Sequence, residues 1–228
     1  MRNSVRHLPS LLVLVIAACI GSYPLFADPR LYSAHDIWHQ VARLYHYSQA
    51  IFAGDFFPTW IANLANGFGY PLFIFSYLVP WLLGTVFMLF GASLFTTIKL
   101  LFFCSYLAAG ISMYAFILGV TRQRLPATIA GLAYLYAPYH FLTLFVSAAI
   151  GTAFMFACIP CLFYGVFLIF NNKKKAGAAL VSIASAVAIL SHLMTFIYVL
   201  GAVVAYIGFL TVIHFRSVQA GVTVTKKV

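Results

Sequence analysis

Of the chain's 228 residues, 64% are hydrophobic and only 7% are charged, whereas soluble domains run at about half apolar and about a quarter charged, so no water-soluble surface can be built from this supply. The formal charge of +10 does not form a basic face. The cations sit in clusters between apolar runs (Arg2 with Arg6, Arg122 with Arg124, Lys173 with Lys174 and Lys175, Arg216 with Lys226 and Lys227), as the positive-inside rule predicts for cytoplasmic loops, and no nucleic acid is expected as a partner. The short alternating segments of a membrane β-barrel are not visible, so the expected fold is all-α, a polytopic membrane helix bundle.

Residues 8–27 follow the first basic cluster and predict a signal-anchor helix that stays uncleaved, because the residues before Ala27 are bulky. Residues 28–72 form the first extracytoplasmic loop. Within it, 33–53 reads as a juxtamembrane helix lying along the membrane: Ile37, Val41, Leu44, Tyr45, Tyr47 and Ile51 include i, i+4 and i+7 relations, while Asp36, Gln40 and Arg43 occupy another side. Ser33 is the expected N-cap, Asp36 stands where a capping-box acid would, and Gly54 closes the helix.

Charge parity constrains the rest. If every basic cluster is cytoplasmic, the crossings between neighbouring clusters are even in number. Residues 126–146 and 151–170 supply two, joined by a tight external turn at 147–150. Residues 175–216 are long enough for two short helices, with His192 near the middle at a second external turn. Three apolar segments separate Arg6 from Arg122, so one does not cross. Residues 70–90 fit that exception, because Pro71 and Pro80 interrupt them and Tyr70, Tyr77 and Trp81 suit an interfacial or re-entrant placement. The expectation is about six spans, or seven if Lys99 marks an inner boundary. Residues 73–215 then hold the remaining membrane helices and 216–228 a tail, all within one transmembrane domain over 1–228 whose two termini are cytoplasmic.

The chain holds three acidic residues, Asp28, Asp36 and Asp55, all in the first loop beside His35, His39 and His46. Chemistry that needs a carboxylate is confined there. Three readings of the His35-Asp36 pair stay open: Asp36 caps a helix, it is a catalytic base or metal anchor at the membrane surface, or His35 and His39 share a metal on one helix face. His46 lies about 10 Å further along the axis, too far to join that ion. Downstream, Gly54-Asp55-Phe56-Phe57-Pro58-Thr59-Trp60 and Asn66-Gly67-Phe68-Gly69-Tyr70-Pro71 are turn-rich and aromatic, fit either for an aromatic belt or for stacking against a sugar. Cys19, Cys104, Cys158 and Cys161 lie within apolar runs, and the Cys158-Ile159-Pro160-Cys161 spacing reads as packing rather than redox chemistry.

The order of one span, His35-Asp36-x-x-His39, the two aromatic turn segments extended through Leu72-Phe73, then Ala137-Pro138-Tyr139-His140 and Ser191-His192-Leu193 resembles the bacterial membrane family labelled "6-pyruvoyl-tetrahydropterin synthase-related". That family is similar in architecture to the C-type glycosyltransferases (GT-C), which take a sugar from a polyprenyl-phosphate carrier outside the membrane. The resemblance implies an acid in the first outer loop acting as base or metal ligand, a role that falls to Asp36, with His39 assisting. It implies a substrate site drawing on His35, Arg30, Arg43, Asp55, Trp60 and Tyr70, with Arg30 or Arg43 for the phosphate and Tyr77 as a further sugar or prenyl platform. No cofactor is identified beyond a divalent cation as a candidate, with Asp36 as its ligand.

Two departures stand against the family pattern. Ser147 and Thr152 stand around the second outer turn, where members often carry an Arg and a Glu, and the chain is much shorter than members usually are. The implied function is a GT-C-like membrane glycosyltransferase, or its N-terminal part, at the outer face of a bacterial inner membrane and serving the cell envelope. Its expected partners are membrane lipid, a polyprenyl-phosphate-linked sugar and a partner membrane subunit. The alternative is a non-catalytic scaffold subunit or a carrier of lipid-linked saccharides.

Overall fold

The computed structural model describes residues 2–219, and the side chains of residues 7–216. Helix α1 (Arg2–Phe26) leads into the first loop, which holds α2 (Ile37–Phe52), a single helical turn at Ala65–Gly67, and α3 (Leu72–Phe75). There follow α4 (Val79–Leu89), α5 (Leu94–Thr121), α6 (Arg124–Leu135), and α7 (Pro138–Phe141), which continues as a π-helical turn over Leu142–Ser147. Helices α8 (Ile150–Phe170) and α9 (Lys174–Gln219) complete the described residues. Among these residues the only β contact is an isolated antiparallel bridge between Ile61 and Tyr70, so the expected all-α bundle is what the chain forms.

Among the described residues four helices are long and apolar enough to cross a membrane: His7–Phe26, Leu94–Thr121, Ile150–Phe170 and Lys174–Arg216. The pair Arg124–Leu135 and Pro138–Ser147, bent by 41°, makes a fifth when taken as one span. The last of the four is interrupted. His192 takes φ −165° and ψ 87°, and Val203 joins the same buried cluster as Ala184 and Leu162. On a straight helix Ala184 and Val203 would stand about 28 Å apart, so α9 folds back at His192. The Phe163 and Tyr206 rings, 5.0 Å apart between centroids, hold the second limb against α8. The expected count of about six is reached only by dividing α9 at this break.

Which way each helix runs follows from its end contacts. The amine of Lys99, near the start of α5, donates to the Asp28 carbonyl just past the end of α1, while His7 Nδ1 lies 2.9 Å from the Tyr114 hydroxyl near the other ends of both. Helices α1 and α5 are therefore antiparallel, and Lys99 lies on the loop side, which removes the reason for a seventh span. Helix α4 lies between them in sequence and has 11 residues, about 16 Å long against roughly 30 Å of hydrocarbon. It packs between α2 and α5 on the loop side, with Trp81 fully buried, and so behaves as the expected non-crossing segment. Helices α8 and α9 start antiparallel, with Gly165 close against the Gly177 carbonyl.

Lipid offers no hydrophobic incentive for helices to associate, so close packing and buried hydrogen bonds must supply it. The core gathers Leu14 and Ala18 of α1, Leu44 of α2, Trp81 of α4, Leu101, Phe102 and Tyr106 of α5, Leu135 of α6 and Leu144 of the π-helical turn. All four cysteines are unpaired, and Cys158 packs with Met155 and Ala188, a packing role as expected. The tail expected over 216–228 lies outside the described residues beyond 219.

Candidate functional site in the first loop

The first loop is fastened to the turn before α8. The backbone amides of His35 and Asp36 donate to the carbonyls of Val146 (2.9 Å) and Ser147 (3.0 Å), and the Tyr32 hydroxyl donates to the Leu144 carbonyl at 2.6 Å. The π-helical winding of 142–147 and the left-handed Ala148 (φ 51°) turn these carbonyls toward the loop. The expected cap is corrected here. Helix α2 starts at Ile37 with Asp36 at the N-cap position and no side-chain capping bond, because residues 35 and 36 are held as extensions of this turn. Ser33 does not cap it. The C-terminal stop is as expected: Gly54, at φ +93°, donates its amide to the Ile51 carbonyl.

Relieved of capping, the Asp36 carboxylate lies 2.9 Å from His35 Nδ1. The Asp36 side chain is 37% exposed and that of His35 85%, so both are reachable from the loop side. One turn on, Gln40 is fully buried. Its amide donates to the Ala148 carbonyl at 2.8 Å, and its oxygen accepts from the Tyr77 hydroxyl at 3.0 Å and Arg43 Nη1 at 3.4 Å. Arg43 Nη1 also donates to the Tyr77 oxygen at 3.2 Å, with the guanidinium 5.7 Å from the Tyr77 ring centroid. Burial pushes the Tyr77 phenol above its ordinary value, against the opposing Arg43 charge, which keeps it a neutral donor.

The Tyr77 ring is stacked against Trp81 (5.3 Å) and His192 (6.0 Å). The break in α9 is thereby built into the site. A side chain at Gly151 would meet the Ser191 carbonyl and the rings of His192 and Tyr77, so only glycine lets α8 start against the hairpin. The face of α2 that carries Asp36, Gln40 and Arg43 is therefore covered at Gln40 by a second layer of the protein.

Beside this layer a cavity of about 320 Å³ is lined by His39, Arg43 and Tyr70 with Leu64 and Leu72. Trp60 lies over Gly69, whose φ of +82° and contact with the indole leave no room for a Cβ. The structure thus brings His39, Arg43 and Tyr70 together at one cavity, with the His35–Asp36 pair at the start of the same helix, one turn before His39. It does not bring Arg30 or Asp55 to either place. Arg30 makes a bidentate contact with Asp28 (2.7 and 3.1 Å), and its guanidinium holds the Asp28 carboxyl down at about 2. Asp55 accepts the Phe57 amide at 3.2 Å beyond the far end of α2, about 28 Å along the axis from Asp36. His46, set against the Tyr45 ring, is lowered from its ordinary value by burial. Tyr77 is enclosed, so it positions Arg43 and Gln40 and is not an open platform.

Among the described residues no three His, Cys, Asp or Glu side chains converge to hold a metal ion, and the donor set around Asp36 does not make a protein-held cation site. Sequence reasoning set Gln40 beside Asp36 and Arg43 and His192 at a turn but gave neither a place in the site, and it missed the carbonyls of 144–148. Gln40 sits at i+4 from Asp36, and only that spacing hinted at it.

No curated protein and no solved structure matches the chain. A model of the 6-pyruvoyl-tetrahydropterin synthase related domain, a membrane protein, matches residues 73–225, more than half of the chain. The match starts after α2 and takes in Tyr77, the π-helical turn and the His192 hairpin, the parts that hold the Asp36 edge in place. On that match, the chain belongs to the 6-pyruvoyl-tetrahydropterin synthase related family of membrane proteins.

Proposed function

We propose that the protein is a GT-C-like membrane glycosyltransferase, or the N-terminal part of one, acting on a polyprenyl-phosphate-linked sugar at the outer face of a bacterial inner membrane. The observation that carries this reading is that Asp36 stands at a helix start without capping it, its carboxylate turned to His35 and open to the loop side. In the reaction, the acceptor hydroxyl oxygen bonds to the anomeric carbon as the bond to the carrier phosphate breaks. The phosphate leaves with the electron pair, and Asp36 takes the hydroxyl proton. Arg43, held by Gln40 and Tyr77 at the cavity edge, would meet the departing phosphate in this reading. Tyr70, Leu64 and Leu72 offer the sugar or the first prenyl unit an apolar wall. No step needs a metal ion.

Asp36→Asn keeps the shape and removes the base. Turnover of a labelled polyprenyl-phosphate sugar by the purified protein is expected to fall by roughly 10²–10⁴-fold with yield and folding unchanged. Unchanged turnover would reject Asp36 as the base.

A scaffold role has its own support: the second limb of α9 leaves Leu193, Ile197, Tyr198 and Val204 exposed, a face suited to another membrane helix as well as to lipid. Under that reading the wild-type protein shows no turnover until a second membrane chain is added.

A further inference from the structure

The opposite end of the bundle holds a second cavity, of about 620 Å³, between the ends of α1, α5 and α8. Its polar lining is His7, Tyr164, Arg122 and Arg124, and its wall toward the apolar zone includes Leu11 and Leu118. His7 Nδ1 and the Tyr114 hydroxyl, 2.9 Å apart, tie α1 to α5 at its floor. All three acidic residues of the chain belong to the first loop at the other end, so no aspartate or glutamate side chain reaches Arg122. The Arg30–Asp28 ion pair and the His35–Asp36 contact are likewise on the loop side, and among the described residues no ion pair reaches Arg122.

Arg122 is also held in an unusual backbone state. It ends α5 at φ 59°, its amide on the Leu118 carbonyl, a left-handed position that glycine ordinarily fills. A side chain with a backbone cost occupies the place where none is needed. The guanidinium so placed borders a cavity with a cationic rim and an apolar inner wall, the two chemistries that a lipid headgroup and its acyl chains require.

We propose that this cavity binds the phosphate of an anionic phospholipid, with Arg122 as its main contact and an acyl chain along Leu11 and Leu118. The shared chemistry, a phosphate anion, also describes free phosphate. The apolar wall favours the lipid, because a small anion would gain nothing from it.

Arg122→Gly separates charge from fold, since glycine accepts φ 59° more readily than arginine. Native mass spectrometry of the detergent-solubilised full chain, titrated with phosphatidylglycerol, phosphatidylcholine or inorganic phosphate, reads the outcome. Phosphatidylglycerol is expected to bind the wild type more tightly than phosphatidylcholine, and Arg122→Gly to weaken it about fivefold while leaving phosphatidylcholine unaffected. Equal affinity for the two lipids in the wild type, or full phosphatidylglycerol binding by Arg122→Gly, would overturn the proposal. Displacement of phosphatidylglycerol by equimolar inorganic phosphate would overturn the lipid assignment in favour of a free anion. If Arg122→Gly yields no folded protein, the wild-type comparison of the two lipids decides.

Discussion

Gln40 closes a three-way junction between α2, the turn before α8 and the segment before α4: it bonds to Ala148, Tyr77 and Arg43 at once. A buried amide with its partners in place contributes modestly, but removing it strands two of them. Gln40→Leu leaves the Ala148 carbonyl and the Tyr77 hydroxyl without that partner, and is expected to cost about 1–3 kcal/mol, read as a lowered thermal midpoint in detergent. An unchanged midpoint would mean the junction is not holding the loop. The Asp28 carboxyl, kept at about 2 by Arg30, contributes its interaction fully above the unfolded value of 3.8 and loses it as pH falls through about 2. Arg30→Ala should return its titration toward 3.8, followed by carbon-13 NMR of the carboxyl. At this scale spacing set Asp36, Gln40 and Arg43 on one side of a helix, and the family resemblance supplied the roles expected of Asp36, His39 and Arg43. The sequence could not show that Gln40 is buried, because its partners are the Ala148 carbonyl, more than 100 residues away, and the Tyr77 hydroxyl of another segment, and a carbonyl leaves no trace in side-chain identity.

Among the elements, hydrophobic length and charge parity anticipated the non-crossing segment around α4 and the turn at His192. Both depend on how much helix fits a bilayer, which composition reports directly. The bend between α6 and α7 falls just before Pro138, a break that proline dictates and that the expected span over 126–146 passed over, whereas the π-helical turn was not legible, since it answers to tertiary contacts with the loop. Ser33 failed as a cap for the same reason: a tertiary anchor replaced a local one at residues 35 and 36. The hairpin in α9 has a direct check. With the four native cysteines replaced, Phe163→Cys together with Tyr206→Cys should be joined by a short bifunctional thiol reagent, as their 5.0 Å ring separation requires. A chain that stays unjoined would mean the second limb extends away from α8.

Taken whole, the molecule is polarised. Asp28, Asp36, Asp55, Arg30, Arg43 and Lys99 belong to the loop side, and Arg122, Arg124 and the three lysines before and at the start of α9 to the opposite one. The positive-inside rule keeps cationic turns in the cytoplasm and translocates the mixed-charge loop, and the proposed sugar transfer requires the Asp36 edge to face outward in this way. Labelling with a membrane-impermeant thiol reagent in intact cells tests this most directly, using cysteine-free protein carrying Phe57→Cys, whose site is 87% exposed, or Gln123→Cys. The expected result is modification at 57 in intact cells and at 123 only after permeabilisation. The reverse pattern would place Asp36 in the cytoplasm and contradict sugar transfer at the outer face.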